Sequence, residues 1–331
     1  MNEFYYGTGR VRALESRLLT PSQIERMASA DDFESAFSVL GETPYAENLS
    51  RVKTAFNFEE LLEMEFTSLK DLMDRLAPGN TVLRAFFNRH DYLNLKVLLR
   101  AYYAGKKGPQ PSSKAGNIPV EKLRLYVYEG VKDIEDVDLI QAADEAKSSF
   151  EQEHDPRLVD IILDRHYFSQ LKAMAGNSPS PLIQELVDHQ IDAANLMVLL
   201  RARQTKKDPK FLEAALLEPG LIDKDTLLEL IDKSVPDIIN RLAFTTYLPY
   251  ITAGLEEHGR NGSFHLLEKL LDDLILERFR KARYLSSGVE PLVGFYLAKE
   301  AEIGTVRFIL VCKKNAVGAH SVKDRLRMSY A

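Results

Sequence analysis

The sequence predicts an all-α protein built from three similar helical lobes arranged about a pseudo-threefold axis. Three observations carry that prediction. Apolar residues recur at three- and four-residue steps through stretches such as LLEKLLDDLILERF (266–279) and NLMVLLRA (195–202), the period of an amphipathic helix. Alternating strand patterns and hairpin turns between β-branched runs are scarce. The stretch DYLNLKVLLR (91–100) returns as DAANLMVLLR (192–201) and, more worn, as EIGTVRFILV (302–311).

The repeats extend beyond this one helix. Asp91, Asp192 and Glu302 correspond, as do Asn94, Asn195 and Thr305, and each copy is followed by a Lys pair: Lys106-Lys107, Lys206-Lys207 and Lys313-Lys314. Carboxylate pairs stand 32, 32 and 34 residues upstream of the three acids: Glu59/Glu63, Asp160/Asp164 and Glu268/Asp272. Helix-start signals repeat too. Ser29-x-x-Asp32, Gly130-x-x-Asp133 and Ser234-x-x-Asp237 each put a cap-type residue three before an acid, and Thr20-Pro21-Ser22-Gln23 is a capping box with proline at the first helical position. In the middle copy Asn117-Ile118-Pro119 departs from this pattern. Glycine-bearing loops (Pro78-Gly79, Gly176-Asn177, Ser287-Gly288) precede each final helix. The copies begin near residues 19, 118 and 222, which gives lobes 1–117, 118–221 and 222–331 separated by PQPSSKAGNIP (109–119) and the 208–220 region. Copies of about a hundred residues exceed the 20 to 50 of solenoid repeats. Three wedge-shaped lobes meeting at one axis leave a central cavity, and a funnel is expected.

Within the repeated helix, Asp91, Asn94 and Leu98 share a stripe with Leu95 and Leu99 beside it. An Asn on an apolar face needs a hydrogen-bonded amide, so Asn94 and Asn195 are expected to tie the helix to a neighbour in the same lobe, for instance to the upstream carboxylate pair. Arg100 and Arg201 complement the helix C-terminal dipole, and the Lys pairs are expected at solvated helix ends.

Composition narrows the function classes. A formal net charge of −6 over 331 residues argues against a general nucleic-acid binder. The single cysteine, Cys312 in VRFILVC, forbids an intramolecular disulfide and reads as a buried small hydrophobe. The charged start MNEFYYGTGRVRALESRLL does not read as a signal peptide, and no run of eighteen apolar residues occurs, so a soluble intracellular protein with no membrane span is expected. Phosphate-loop and H-E-x-x-H motifs are missing, and Gly7-Thr8-Gly9 is too short to hold a nucleotide. The carboxylate pairs resemble those of helical di-metal proteins, but the one Glu-x-x-His, Glu151 to His154, lies in a charged stretch. His90 aligns with Ile191, and His189 with Asn88, so no histidine is shared by the copies. The expectation is no catalytic residue, no cofactor and no metal. From 305 to 331 Arg307, Lys313, Lys314, Lys323, Arg325 and Arg327 outnumber the acid Asp324, which reads first as a solvated helix face and second as a basic end suited to anionic lipid or an acidic partner.

YYGTGRVRALESRLLTPSQIERM with LGETPY (40–45), the stretch FHLLEKLLDDLILERFRKARYLSSGVEPLVGFYLAKEAEIGTVRFIL, and the ending KDRLRMSYA together resemble the C subunits of bacterial and archaeal V/A-type ATPases, whose eukaryotic relative is the d subunit of the vacuolar proton pump. The resemblance runs along the whole chain. It implies a funnel-shaped rotor part in the central stalk that links the shaft, made of the D and F subunits, to the membrane proteolipid ring and does no bond chemistry. It also implies a cytoplasmic location, peripheral to the membrane. On that reading Arg10, Arg12, Lys313, Lys314, Arg325 and Arg327 are candidate partner contacts. The competing reading is an all-α interaction scaffold for another partner.

Overall fold

The structure, a computed structural model, describes residues 4–106 and 113–328. Lys107, residues 109–112 of the first linker and the last residues of KDRLRMSYA (329–331) lie outside the described residues. Among the described residues there are helices and no strands. In chain order they are α1 Tyr5–Glu15, α2 Pro21–Ser29, α3 Phe33–Ser38, α4 Ala46–Leu49, α5 Phe58–Leu76, α6 Thr81–Tyr103, α7 Val120–Glu129, α8 Val137–Glu153, α9 Pro156–Gly176, α10 Pro181–Gln204, α11 Pro209–Ala215, α12 Lys224–Glu229, α13 Val235–Arg241, α14 Leu248–Asn261, α15 His265–Phe279, α16 Glu290–Lys314 and α17 Ala319–Lys323. The three copies of the repeated sequence fall on α6, α10 and α16, the three longest of these helices at 23, 24 and 25 residues.

The capping chemistry expected at Thr20 is present: Gln23 N–H donates to Thr20 Oγ1 at 3.3 Å and Thr20 N–H to Gln23 Oε1 at 2.9 Å. Ser234 and Asp237 exchange the same reciprocal pair. Two other starts differ. Asp32, not Ser29, caps α3, its carboxylate accepting from Ser35 N–H at 2.7 Å. Gly130 ends α7 in the left-handed conformation (φ +73°), and α8 begins beyond it on Asp136. In both cases a residue that suits a cap was read as a beginning where the chain uses a different acid, or uses the glycine's positive φ to stop. The final helices start as expected after their glycine loops, with Asn80 and Ser180 capping α6 and α10.

The chain forms two compact units, Asn80–Ile238 and a second made of Met1–Gly79 with Ile239–Ala331. In the first, α6 packs on α7 and α9, α8 on α9, and α10 on α9, α11 and α12 around Leu98, Leu99, Leu163, Ile183 and Leu199. In the second, α16 packs on α1, α2, α3 and α5, and α14 on α15, around Leu61, Leu62, Val293, Ile303 and Ile309. These boundaries do not follow the repeat register. The closing helix of the first copy, α6, belongs with the second copy, because its buried face lies against α7 and α9.

Candidate functional site: joints between the repeats

The repeated acid of each long helix is buried, and each reaches the start of the next copy. Asp91 Oδ2 accepts from Asn117 N–H at 2.8 Å and its Oδ1 from Ile118 N–H at 3.0 Å. Asp192 does the same for Leu221 (2.9 Å) and Ile222 (3.2 Å). Both carboxylates are 0% exposed, so the paired N–H donors supply what water would otherwise provide. A glycine precedes each donor pair because nothing larger fits. A Cβ on Gly116 would stand 2.0 Å from Asp91 Oδ1, and one on Gly220 2.6 Å from Asp192 Oδ1 and 2.4 Å from the Asp188 carbonyl. The third acid returns to the first copy, where Glu302 Oε2 accepts from Leu19 N–H at 2.5 Å. The order of contact is therefore cyclic: first to second, second to third, third to first.

Two further positions follow the same cycle. Five residues after the acid, Lys96 pairs with Asp164 of the second copy at 2.5 Å, and Arg307 with Glu59 of the first at 2.9 Å. Eleven residues after the acid, Tyr102 stacks edge-on against Tyr128 near the end of α7 with ring centres 5.5 Å apart. At that position Arg203 donates to the carbonyls of Leu230 (2.6 Å), Ile231 and Lys233 past α12, and Lys313 donates to Ala30 O at 2.6 Å past α2. Cations at helix C-terminal carbonyls complement both the orphan acceptors and the dipole.

The asparagines bond to the loop that closes their own lobe. Asn94 exchanges two bonds with the Ser113 backbone (2.7 and 3.0 Å), and Asn195 Oδ1 accepts from Leu217 N–H at 2.8 Å. Both amides hold the loop to the following copy rather than a carboxylate pair of their own lobe, because the acid beside them already draws that loop in. Thr305 bonds only within its own helix, to Ala301 O. Of the carboxylate pairs, Asp160 meets Arg100 and Asp164 meets Lys96, both from the preceding copy's α6.

The third joint is built on charge. Lys299 Nζ sits 2.7 Å from Glu302 Oε1 and 2.9 Å from Glu65 Oε2, and 4.3 Å above the Tyr45 ring. Tyr45 O–H donates to Glu302 Oε1 at 3.0 Å, and Asn48 Nδ2 to Glu65 Oε1 at 2.9 Å. Burial pulls the Lys299 ammonium down, but Glu302 and Glu65 outweigh it and hold it above the ordinary lysine range. Burial, then the Glu302 charge, raises the Tyr45 hydroxyl well above its ordinary value.

A model of the family described as ATP synthase (C/AC39) subunit matches residues 8–325. The chain belongs to this family. Among its relatives, the C subunit of the A-type ATP synthase of Methanocaldococcus jannaschii is 24% identical over 342 residues, covering 98% of this chain and 86% of that protein. The C subunit of the V-type sodium ATPase of Enterococcus hirae is 24% identical over 322 residues, 97% of each chain. The C subunit of the A-type ATP synthase of Methanothermobacter thermautotrophicus is 25% identical over 332 residues, covering 94% and 84%.

Membership of the C/AC39 family makes this chain part of a rotary ATPase of the A/V type. No helix among the described residues is long and apolar enough to cross a membrane, and no group of three or more His, Cys, Asp or Glu among them is placed to hold a metal ion. Gly7-Thr8-Gly9 lies inside α1, with Gly7 facing Leu292. The predicted contact residues separate into two sets. Lys313 is buried on Ala30 O, so it is neither a solvated helix end nor a surface cation. Arg12 binds Glu15 and the Ala282 carbonyl, each at 2.6 Å, and Arg327 binds Asp272 at 2.6 Å. Arg10, Lys314 and Arg325 are exposed. Sequence reading missed Gly116, Gly220, Lys299 and Glu65. The two glycines stand one residue before the donor pairs and were readable as a repeated Gly-x-Ile; Lys299 and Glu65 carry no local signal.

Proposed function

We propose that this chain is a non-catalytic central-stalk component of the rotor, coupling a shaft of D and F subunits to the membrane proteolipid ring for ATP-driven ion transport or ATP synthesis. The reading takes the three copies as lobes 1–117, 118–221 and 222–331 of a funnel with pseudo-threefold symmetry, cytoplasmic and peripheral to the membrane. The observation that favours it is the cyclic set of joints. A part that transmits torque must not slip between its modules, and here each long helix is fixed to the next copy by a buried carboxylate on backbone N–H groups. Rim charges such as Arg10, Lys314 and Arg325 then steer and orient partners.

Reconstitution tests it. The chain mixed with purified D and F is expected to give a one-to-one complex, and Arg10→Glu or Arg325→Glu to weaken it at low salt. Omitting the chain from the assembled ATPase is expected to leave ATP hydrolysis but abolish ion pumping. Retained ATP-driven pumping without it overturns the coupling role. Co-purification with many unrelated partners in place of shaft and ring favours the scaffold reading instead.

A further inference from the structure

The three joints occupy equivalent places but are not equivalent in chemistry or connection. The first and second also lie along continuous chain, since α6 leads by the linker to α7 and α10 leads to α12. The third has no peptide link: α16 and the segment 19–65 that it meets come from opposite ends of the sequence. Its acid accepts one backbone N–H where Asp91 and Asp192 each accept two. No glycine cradles it, because Leu18 precedes Leu19. In the place of that cradle, two carboxylates, Glu65 and Glu302, share one ammonium, Lys299, all three at most 12% exposed at the side chain. Removing three charges from water offsets most of their attraction, so such a cluster fixes geometry more than it adds stability.

We infer that this third joint is a clasp: the cycle of contacts opens there first, with α16 from Lys299 onward and α17 leaving α2–α5 as one piece. The polar contacts that part with it are Lys313 on Ala30 O, Arg307 on Glu59 and Lys323 on Glu25, and the apolar packing of Ile303, Val306, Ile309 and Leu310 parts with them. The first two joints stay closed through this opening, because their acids remain on Gly116-Asn117-Ile118 and Gly220-Leu221-Ile222.

The chain carries its own reporter. Cys312, the one cysteine of the sequence, is half-buried in α16 beside Lys313, and burial pushes its thiol up. Its reaction with an aromatic disulfide reagent is expected to quicken when the clasp opens. Lys299→Met leaves two carboxylates facing each other without their cation, so Cys312 labelling is expected to accelerate at least tenfold while helical circular dichroism is kept. Amide exchange is expected to rise in the peptides holding Leu19 and α16 and to stay unchanged in those holding Ile118 and Ile222. Unchanged labelling, or equal loosening of all three joints, overturns the clasp. The wild-type full chain gives a test that does not depend on the variant folding. In rising sub-denaturing urea the Leu19 amide is expected to lose protection before those of Ile118 and Ile222, and the reverse order overturns the inference.

Discussion

At Gly116 and Gly220 the missing side chain is what lets a buried carboxylate reach two backbone N–H groups. Asp91 cannot move aside for a Cβ at 2.0 Å without leaving Asn117 and Ile118, and Asp192 is equally held by Leu221 and Ile222. Gly116→Ala and Gly220→Ala are each expected to cost about 1–3 kcal/mol by overpacking, read as a lower urea midpoint. Gly259→Ala, on an open face of α14 with nothing within 4 Å, is expected to gain up to about 1 kcal/mol from helix propensity. Equal effects at all three sites contradict the cradle. A second residue-scale case is Asp273, whose carboxyl burial raises above its ordinary 3.8 against the opposing Met328 N–H bond and the nearby Lys269, Arg327 and Arg280. An acid raised in the folded state favours folding below its unfolded value and loses that contribution as pH climbs through the folded value. Asp273→Asn keeps a carbonyl acceptor for Met328 N–H and has no charge to bury. Its stability relative to wild type is expected to rise as pH climbs from below the ordinary carboxyl value of 3.8 to neutrality. A flat difference across that window removes the burial argument.

The three long helices end in the same way. Fourteen residues after the acid, Gly105 (φ +66°), Lys206 (φ +51°) and Ala316 (φ +55°) turn left-handed, and the next N–H returns at 2.9 Å to Ala101, Ala202 and Cys312 respectively. Only the first copy has the residue that adopts this conformation without a Cβ penalty. Lys206→Gly and Ala316→Gly are therefore expected to stabilise by about 0.5–1 kcal/mol, measured by thermal or urea unfolding, and Gly105→Ala to destabilise by a similar amount. Signals at this scale were partly readable in sequence. Helical periodicity and the Thr20 capping box gave α2 and the long helices directly, because they depend on residues within one turn. The starts of α3 and α8 were misplaced by three and six residues, because Ser29, Gly130 and Asp133 carry the same local chemistry as the residues that cap. The shared left-handed ends went unread since Lys206 and Ala316 are not glycines, and the register alone, not the residue type, marks them.

Across the whole molecule, the repeated acids announced that three helices are equivalent, yet not what they hold. A sequence alignment sets Asp91, Asp192 and Glu302 in one column. That each binds the following copy, and the last binds the first, follows from packing that brings Leu19 to Glu302 across 283 positions. The differing intervals to the donors hide the pattern further, as does the change from a glycine cradle to the Lys299 cluster. The cyclic order has a consequence for connectivity. If contacts rather than the covalent path define the fold, the chain tolerates moving its ends. A permutant that joins the present ends through a Gly/Ser linker of about 20 residues, with a mean reach of about 25 Å, and opens within 107–112 is expected to fold with the same helical content. The α16 joint then lies along continuous chain, and the joint at Asp91 becomes the one without a peptide link. Cys312 labelling is expected to slow, and the Ile118 amide to replace Leu19 as the first to lose protection in sub-denaturing urea. A permutant that folds but still opens first at Leu19 shows that the Lys299 cluster alone sets the opening point. One that fails to fold shows that the first joint needs its peptide link, and that the Asp91 clamp does not close without it.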